Sequence, residues 1–207
     1  DVNGIVIRKN DKIISNSPRS LLHDIDELPY PDFTDYLDNT LTDGSCCFIP
    51  RISVEASRGC SWGKCCFCNL SFHWGGTVRR KTPRRLVREI KYQVGLFQSS
   101  KLLFCDTNIS AWADSMIAVR DLAMDLDIFA EMSAHLSRKE FEVMRQAGVR
   151  SIQVGVESFS DSILRKYQKG TNVMRNMEIL KWACELGIQI GYNLIIRYPN
   201  ESDQDVS

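Results

Sequence analysis

From residue 51 onward, short apolar runs alternate with stretches whose apolar residues recur every three or four positions. "RISVEASR" (51–58), "KLLFCDTN" (101–108), "DIFAEMSAH" (127–135), "SIQVGVES" (151–158) and "IQIGYNLII" (188–196) are short and largely apolar, the pattern of strands covered on both faces. Between the first two, Leu86, Ile90, Val94 and Phe97 fall on one helical face behind Thr82-Pro83, a helix start with proline in the first turn. A second helix is expected from about Ser110, with Trp112, Met116, Val119 and Ala123 on its stripe. The third opens at "SRKE", where Ser137 and Glu140 have capping-box spacing, and Gly148 stops it. The fourth covers about 173–186 and ends at Gly187, after a shorter helical turn near 160–167.

Strand–helix alternation of this kind predicts an α/β fold of parallel strands joined by right-handed crossovers. Five strands do not close a barrel, so a curved open sheet is expected. Residues 1–50 read differently. "GIVIRKNDKIIS" predicts a small hairpin turning at Asn10-Asp11. "HDIDELPYPDFTDYLDN" is acidic and carries Pro29 and Pro31, which favour an extended, ordered connector. Residues 1–50 are therefore expected to link an upstream domain to a sheet domain over 51–207, which is cut near a fifth helix beginning in "PNESDQDVS".

Charge narrows the partners. With 26 basic and 26 acidic residues the formal net charge is zero, and no long single-sign block occurs. Nothing in this points to nucleic acid or an anionic membrane. No apolar run has membrane-spanning length and no signal-peptide pattern is present, so a cytoplasmic protein is expected.

The eight cysteines are Cys46, Cys47, Cys60, Cys65, Cys66, Cys68, Cys105 and Cys184, and four of them fall within positions 60–68. Such crowding, unlike the spacing of a secreted scaffold, favours metal ligation over disulfides. Zinc prefers two C-x2-C pairs, or one pair and a distant histidine. Only one such pair is present, with Cys66 or His73 as the fourth ligand of a zinc site. Alternatively, Cys60, Cys65 and Cys68, spaced C-x4-C-x2-C, hold three irons of a cubane cluster and leave the fourth open. Cys66 is the alternative middle ligand. Cys46 and Cys47 lie in the connector, and Cys105 and Cys184 read as apolar fillers.

In α/β sheets active groups gather at the carboxyl ends of strands. Those ends carry Asp106-Thr107-Asn108, His135, Glu157-Ser158 and Ile196-Arg197-Tyr198-Pro199. Asp106 and Asn108 also read as helix caps. Glu157, near the end of a buried strand, must be paired or functional. Met174, Met177 and Trp182 have the spacing of core residues. The basic run "VRRKTPRR" (78–85) reads as a solvated face, or as a contact for a peptide substrate or electron donor.

The cysteine loop, with Phe67 directly before its last cysteine, resembles the signature of the radical S-adenosylmethionine (SAM) superfamily. That signature is C-x3-C-x2-C with an aromatic residue before the third cysteine; here the first gap is one residue longer. "GVRSIQVGVESFSDSILRKYQKGTN" resembles the superfamily's fourth-strand region. "ILKWACELGIQIGYNLIIRYPNES" is similar to the next unit, which commonly ends in G-x-P-G-E-T, with Arg197 and Asn200 here in place of its glycines. "ELPYPDF" resembles the linker between a cobalamin-binding domain and the barrel. "KTPRRLVRE" and "ILKWACELGI" resemble segments of cobalamin-type members that modify ribosomally made peptides.

The resemblance implies a partial (β/α) TIM-type barrel with about five parallel strands and outer helices. It implies a [4Fe-4S] cluster on Cys60, Cys65 and Cys68, with SAM chelating the open iron. Reductive cleavage would give a 5′-deoxyadenosyl radical for methylation or rearrangement of a peptide or small molecule. It further implies a reductant such as flavodoxin or ferredoxin, and cobalamin held by an upstream domain. Asp106, Thr107 and Asn108 would meet the SAM amino group. Glu157, Ser158 and Asn193 would face the ribose or the methionine moiety. Phe67 and the backbone at Ile195 would pack on adenine, and His135 would stand behind the site or face substrate. The competing expectation is a zinc-stabilised binding module without catalysis.

Overall fold

Residues 2–35, 51–74, 76–199 and 202 are described by a computed structural model of the chain. Expectations placed on Cys46, Cys47, Asn200 and the helix start after Pro199 lie outside the described residues. The strands are β1 (Val6–Lys9), β2 (Lys12–Ser15), β3 (Ile52–Val54), β4 (Ser57–Arg58), β5 (Arg79–Arg80), β6 (Lys101–Phe104), β7 (Asp127–Met132), β8 (Val149–Glu157) and β9 (Gln189–Leu194). The α-helices are α1 (Leu70–His73), α2 (Pro83–Phe97), α3 (Ala113–Arg120), α4 (Arg138–Gln146), α5 (Asp161–Lys166) and α6 (Val173–Glu185).

β3, β6, β7, β8 and β9 form one parallel sheet in that order, the open parallel sheet that the alternation predicts and the partial barrel that the resemblance implies. Its strands are two-sided. Ile52, Val54, Leu102, Phe104, Ile128, Ala130, Ile152 and Val154 are buried in one core with residues of the helices, among them Leu86, Ile90, Met116, Phe141 and Ile179. The residues between them, including Ser53, Phe129, Glu131 and Gln153, are half-buried or exposed. Coverage on both faces is therefore corrected. The second face is the concave inner wall of the barrel, and it carries the polar chemistry.

Local signals mostly set the helices. Thr82 caps α2 by accepting from Arg85 N, and both halves of the Ser137–Glu140 capping box are made on α4. Gly148 stops α4 at φ +103°, against Leu126, where a side chain would collide with backbone. The second helix opens with a 3-10 turn at Ile109–Ala111, and its α-helical part, α3, begins at Ala113 and ends at Arg120. Ala123 thus falls outside it and is exposed. "RISVEASR" splits into β3 and β4, and β4 turns away to pair antiparallel with β5.

The basic run is a solvated face only in part, at Arg80 and Arg84. Lys81 and Arg79 are buried, and Glu89, fully buried on α2, takes Lys81 and Arg85 at 2.8 Å each. Met174 and Met177 are exposed on the outer side of α6, and so is Cys184. Cys105 is exposed because it sits on the open face of the sheet.

The hairpin forms as expected, with Asn10 and Asp11 at positive φ in a two-residue turn. The following segment is ordered, as the prolines lead one to expect. After a 3-10 turn at Ile25–Glu27 it runs along α2. The Asp26 carboxylate accepts from Thr82 N (2.8 Å) and Thr82 Oγ1 (2.6 Å). Arg85 donates to the Leu28 carbonyl (2.6 Å) and lies 4.0 Å over the Tyr30 ring. Gln93 Nε2 donates to the Pro31 carbonyl at 2.6 Å. Prolines keep this stretch extended, so its carbonyls face side-chain donors. Asp26→Ala is expected to lower stability by about 1 kcal/mol, as loss of a helix-terminus acceptor does. Urea unfolding measures this, and faster proteolysis near residues 24–33 should accompany it.

Candidate functional site

The β4–β5 ribbon closes the base of the cysteine loop, pairing Ser57 with Arg80 and Arg58 with Arg79. Further moorings fix the loop against the end of β6 and the turn that follows α5. Thr107 Oγ1 donates to the Gly59 carbonyl (2.8 Å), Trp62 Nε1 to the Gln168 carbonyl (2.7 Å), and Cys66 N to the Tyr167 carbonyl (3.1 Å). Cys60, Cys65 and Cys68 then line one cavity of about 170 Å³ at the carboxyl ends of the strands.

Cys66 points elsewhere. Its Sγ lies 3.4 Å from the Lys166 carbonyl and 3.4 Å from the Tyr198 hydroxyl. Burial pushes the Cys65 thiol up, with Lys169 opposing and the sulfurs of Cys68 and Cys60 adding to the rise. Among the described residues no three His, Cys, Asp or Glu side chains converge as ligands of a single ion. Three thiols around one space, with the fourth turned away, suit a multi-iron cluster better than a tetrahedral zinc.

The strand ends supply the rest of the wall. Asn108 lines the cavity; its Oδ1 accepts from Ser110 Oγ and from Ser133 N at 3.1 Å. It caps no helix with its side chain. Asp106 is 1% exposed and does not line the cavity. Its carboxylate accepts from Ala56 N (2.9 Å) and Ser57 Oγ (2.5 Å), and Trp112 Nε1 donates to Ser57 Oγ at 2.7 Å. Asp106 thus holds the bend between β3 and β4.

Burial pushes the Asp106 carboxyl up to about 6, against the pull of the bonds from Ser57 and Ala56. A raised carboxyl keeps its proton longer in the folded chain than in the unfolded one. Stability is therefore expected to fall as pH rises from about 4 to about 6. Asp106→Asn should remove that slope, which urea midpoints at several pH values would reveal.

Glu157 is buried, lines the cavity and sits at φ +64°, a costly backbone for a residue with a side chain. Neighbouring groups hold it there. The fully buried Asn176 of α6 donates to the carbonyls of Val156 (3.0 Å) and Ser158 (3.2 Å), and Ile195 N donates to the Glu157 carbonyl (2.9 Å). The β8–β9 pairing slips at this point. The Glu157 carboxylate pairs with Lys169 Nζ at 2.9 Å. Gly155 makes the room: a Cβ there would stand 2.5 Å from Lys169 Nζ and 2.7 Å from Glu157 Oε1.

Phe67 and Asn193 also line the cavity. The Phe67 ring meets Tyr167 edge-on at 5.2 Å. Ser158 and Ile195 do not line it. Ser158 Oγ accepts from Ser160 N at the turn into α5, and the Ile195 carbonyl accepts from Tyr167 Oη. His135 lines the cavity 5.6 Å from the Trp62 ring, and burial pulls its imidazole down. Lys169, Asn176, Glu131 and Gln153 escape sequence reasoning. A buried asparagine amid the apolar stripe of α6 was the one visible signal among them.

Residues 54–207 match the Radical SAM superfamily. The chain belongs to the radical SAM superfamily. It is 26% identical over 213 residues to an uncharacterized methyltransferase of Pyrococcus horikoshii, covering 98% of this chain and 44% of that protein. It is 28% identical over 182 residues to the hopanoid C-3 methylase of Methylococcus capsulatus, covering 82% of this chain and 35% of that one. The chain thus spans less than half the length of these relatives. Among solved structures, the cobalamin-dependent S-adenosylmethionine radical enzyme OxsB superposes with TM-score 0.75 over 95% of this chain and 30% of its own, at 19% identity. Methylornithine synthase does so with TM-score 0.52 over 73% of this chain and 46% of its own, at 15% identity. Both share the fold of this chain. No helix among the described residues is long and apolar enough to cross a membrane.

Proposed function

We propose that this chain is the catalytic barrel of a radical SAM methyl-transferring enzyme, with Cys60, Cys65 and Cys68 holding a [4Fe-4S] cluster. The observation that carries this is the grouping of those three thiols around one cavity, with Cys66 bonded away from it. When bound, the cluster and SAM would supply reductively triggered radical chemistry. The chain's own residues hold and enclose. Asn108, Glu157 and Asn193 offer polar contacts to SAM from three strand ends. Phe67, edge-on to Tyr167, offers an apolar face to the adenine. The Lys169–Glu157 pair fixes the charge of the wall, and the apolar lining limits water.

The methyltransferase and methylase relatives favour methyl transfer over rearrangement, and the OxsB likeness is the support for cobalamin bound elsewhere in the whole protein. A small electron-transfer protein would serve as reductant. The test is anaerobic reconstitution of the protein from its full reading frame with iron and sulfide. The expected results are cluster absorbance in the visible and dithionite-dependent 5′-deoxyadenosine. Stoichiometric zinc without iron uptake would overturn the proposal and favour a zinc-stabilised module.

A further inference from the structure

We propose that the strand wall of this cavity recognises a cationic nitrogen group on the substrate, an amine or guanidinium, with Glu131 as its counter-ion and Gln153 beside it. This rests on reading the cavity as the reaction site. Glu131 on β7 and Gln153 on β8 are direct register partners on the inner face of the sheet, and both line the cavity that holds the three thiols. Glu131 is exposed and Gln153 half-buried, and neither side chain has a hydrogen-bond or ion-pair partner among the described residues.

The charges around Glu131 make the case. Lys169 is the one lysine or arginine among the described lining residues, and Glu157 already neutralises it at 2.9 Å. His135, whose imidazole burial pulls down, adds no lasting positive charge. Glu55, on the same face of the sheet, is paired to Arg58 at 2.8 Å, so it competes for no further cation. Glu131 thus remains an unmatched carboxylate, with an amide that can accept or donate one strand away. A ligand ammonium or guanidinium restores balance through a charge-assisted bond, and Gln153 Oε1 accepts a second N–H. A purely hydrocarbon substrate would strip water from both groups and give nothing back, and a carboxylate would meet repulsion.

The experiment uses the reconstituted full-length protein and four probes with short alkyl chains: n-butylguanidinium, n-butylammonium, n-butanol and butyrate. Calorimetric titration should find saturable binding of the two cations with Kd on the order of 1 mM, as suits ligands of so few atoms. The alcohol and the acid should bind at least about tenfold more weakly, the factor that one charge-assisted bond supplies. Glu131→Gln should abolish the cation preference, and Glu131→Asp should retain part of it. Iron content and SAM affinity should not change in either variant.

Equal binding of n-butanol overturns the proposal, as does the absence of saturable cation binding. A loss of SAM affinity in Glu131→Gln with probe binding intact also overturns it, because Glu131 would then serve SAM. If Glu131→Gln does not fold, the ranking of the four probes on the wild-type protein still decides. Cation-selective binding by a protein that takes up no iron would sink the cluster reading while leaving this recognition in place.

Discussion

Cys65→Ala is expected to abolish iron retention and 5′-deoxyadenosine formation, whereas Cys66→Ala retains both. The two thiols are chain neighbours, and a local pattern treats them alike. Their surroundings do not. The Cys65 thiol shares its cavity with Cys60, Cys68 and the Lys169 ammonium. Burial pushes that thiol up, and the Lys169 ammonium works against the rise, toward the thiolate that binds metal. The Cys66 Sγ is instead a peg between the Lys166 carbonyl and the Tyr198 hydroxyl. Losing that peg should cost about 1 kcal/mol, the net worth of a modest hydrogen bond, and loosen the loop without removing a ligand. Iron and sulfide analysis after anaerobic reconstitution separates the variants. If Cys66→Ala lost its iron and Cys65→Ala kept it, the motif would read C-x5-C-x1-C and the arrangement of the loop would be wrong. Cys60→Ala and Cys68→Ala are expected to behave as Cys65→Ala.

The contrast between these cysteines shows where sequence reading reaches and where it stops. Helix starts at Thr82 and Ser137 were legible because a cap and the backbone it satisfies lie three residues apart. The strands were legible from their apolar runs, but their inner face was not. Phe129 and Leu103 are as apolar as the buried positions beside them, yet they lie on the open side of the sheet. Cys105 and the two methionines at 174 and 177 failed for the same reason: hydrophobicity says a residue can be buried, not that a partner covers it. Lys81 and Arg79 failed in the opposite sense. Their charges looked solvated until Glu89, on the next helix, arrived beneath Lys81. The segment around Pro29 and Pro31 was rightly read as extended, but what it rests on is set by Arg85 and Gln93, more than fifty residues away. For the candidate site, the strand-end rule pointed to the loop, Asn108 and Glu157, all of which line the cavity. It could not say that Asp106 turns inward to Ser57, because that choice depends on a strand splitting after Val54.

Glu157→Gln is expected to cost about 3–5 kcal/mol of stability, the penalty for leaving one partner of a buried ion pair uncompensated. The Glu157 and Lys169 side chains are 9% and 13% exposed, so water cannot take over the lost charge. Lys169→Met should cost a similar amount, by stranding the carboxylate at a backbone already held at φ +64°. The double variant Glu157→Gln/Lys169→Met buries no unpaired charge and should recover most of the loss, so the two changes will be strongly non-additive in urea unfolding. Activity should follow another course. Glu157 stands at the cavity end of β8 beside the thiols, so the double variant should fold and take up iron, yet bind SAM weakly. Gly155→Ala offers a check that leaves every charge in place. Its new methyl would need the space now held by Lys169 Nζ and Glu157 Oε1, so the pair must part or shift. Impaired SAM cleavage in Gly155→Ala, with iron content preserved, is the expected outcome. Additive losses across the Glu157–Lys169 cycle would mean the two charges do not meet in solution, and full SAM affinity in the double variant would remove Glu157 from the SAM contacts.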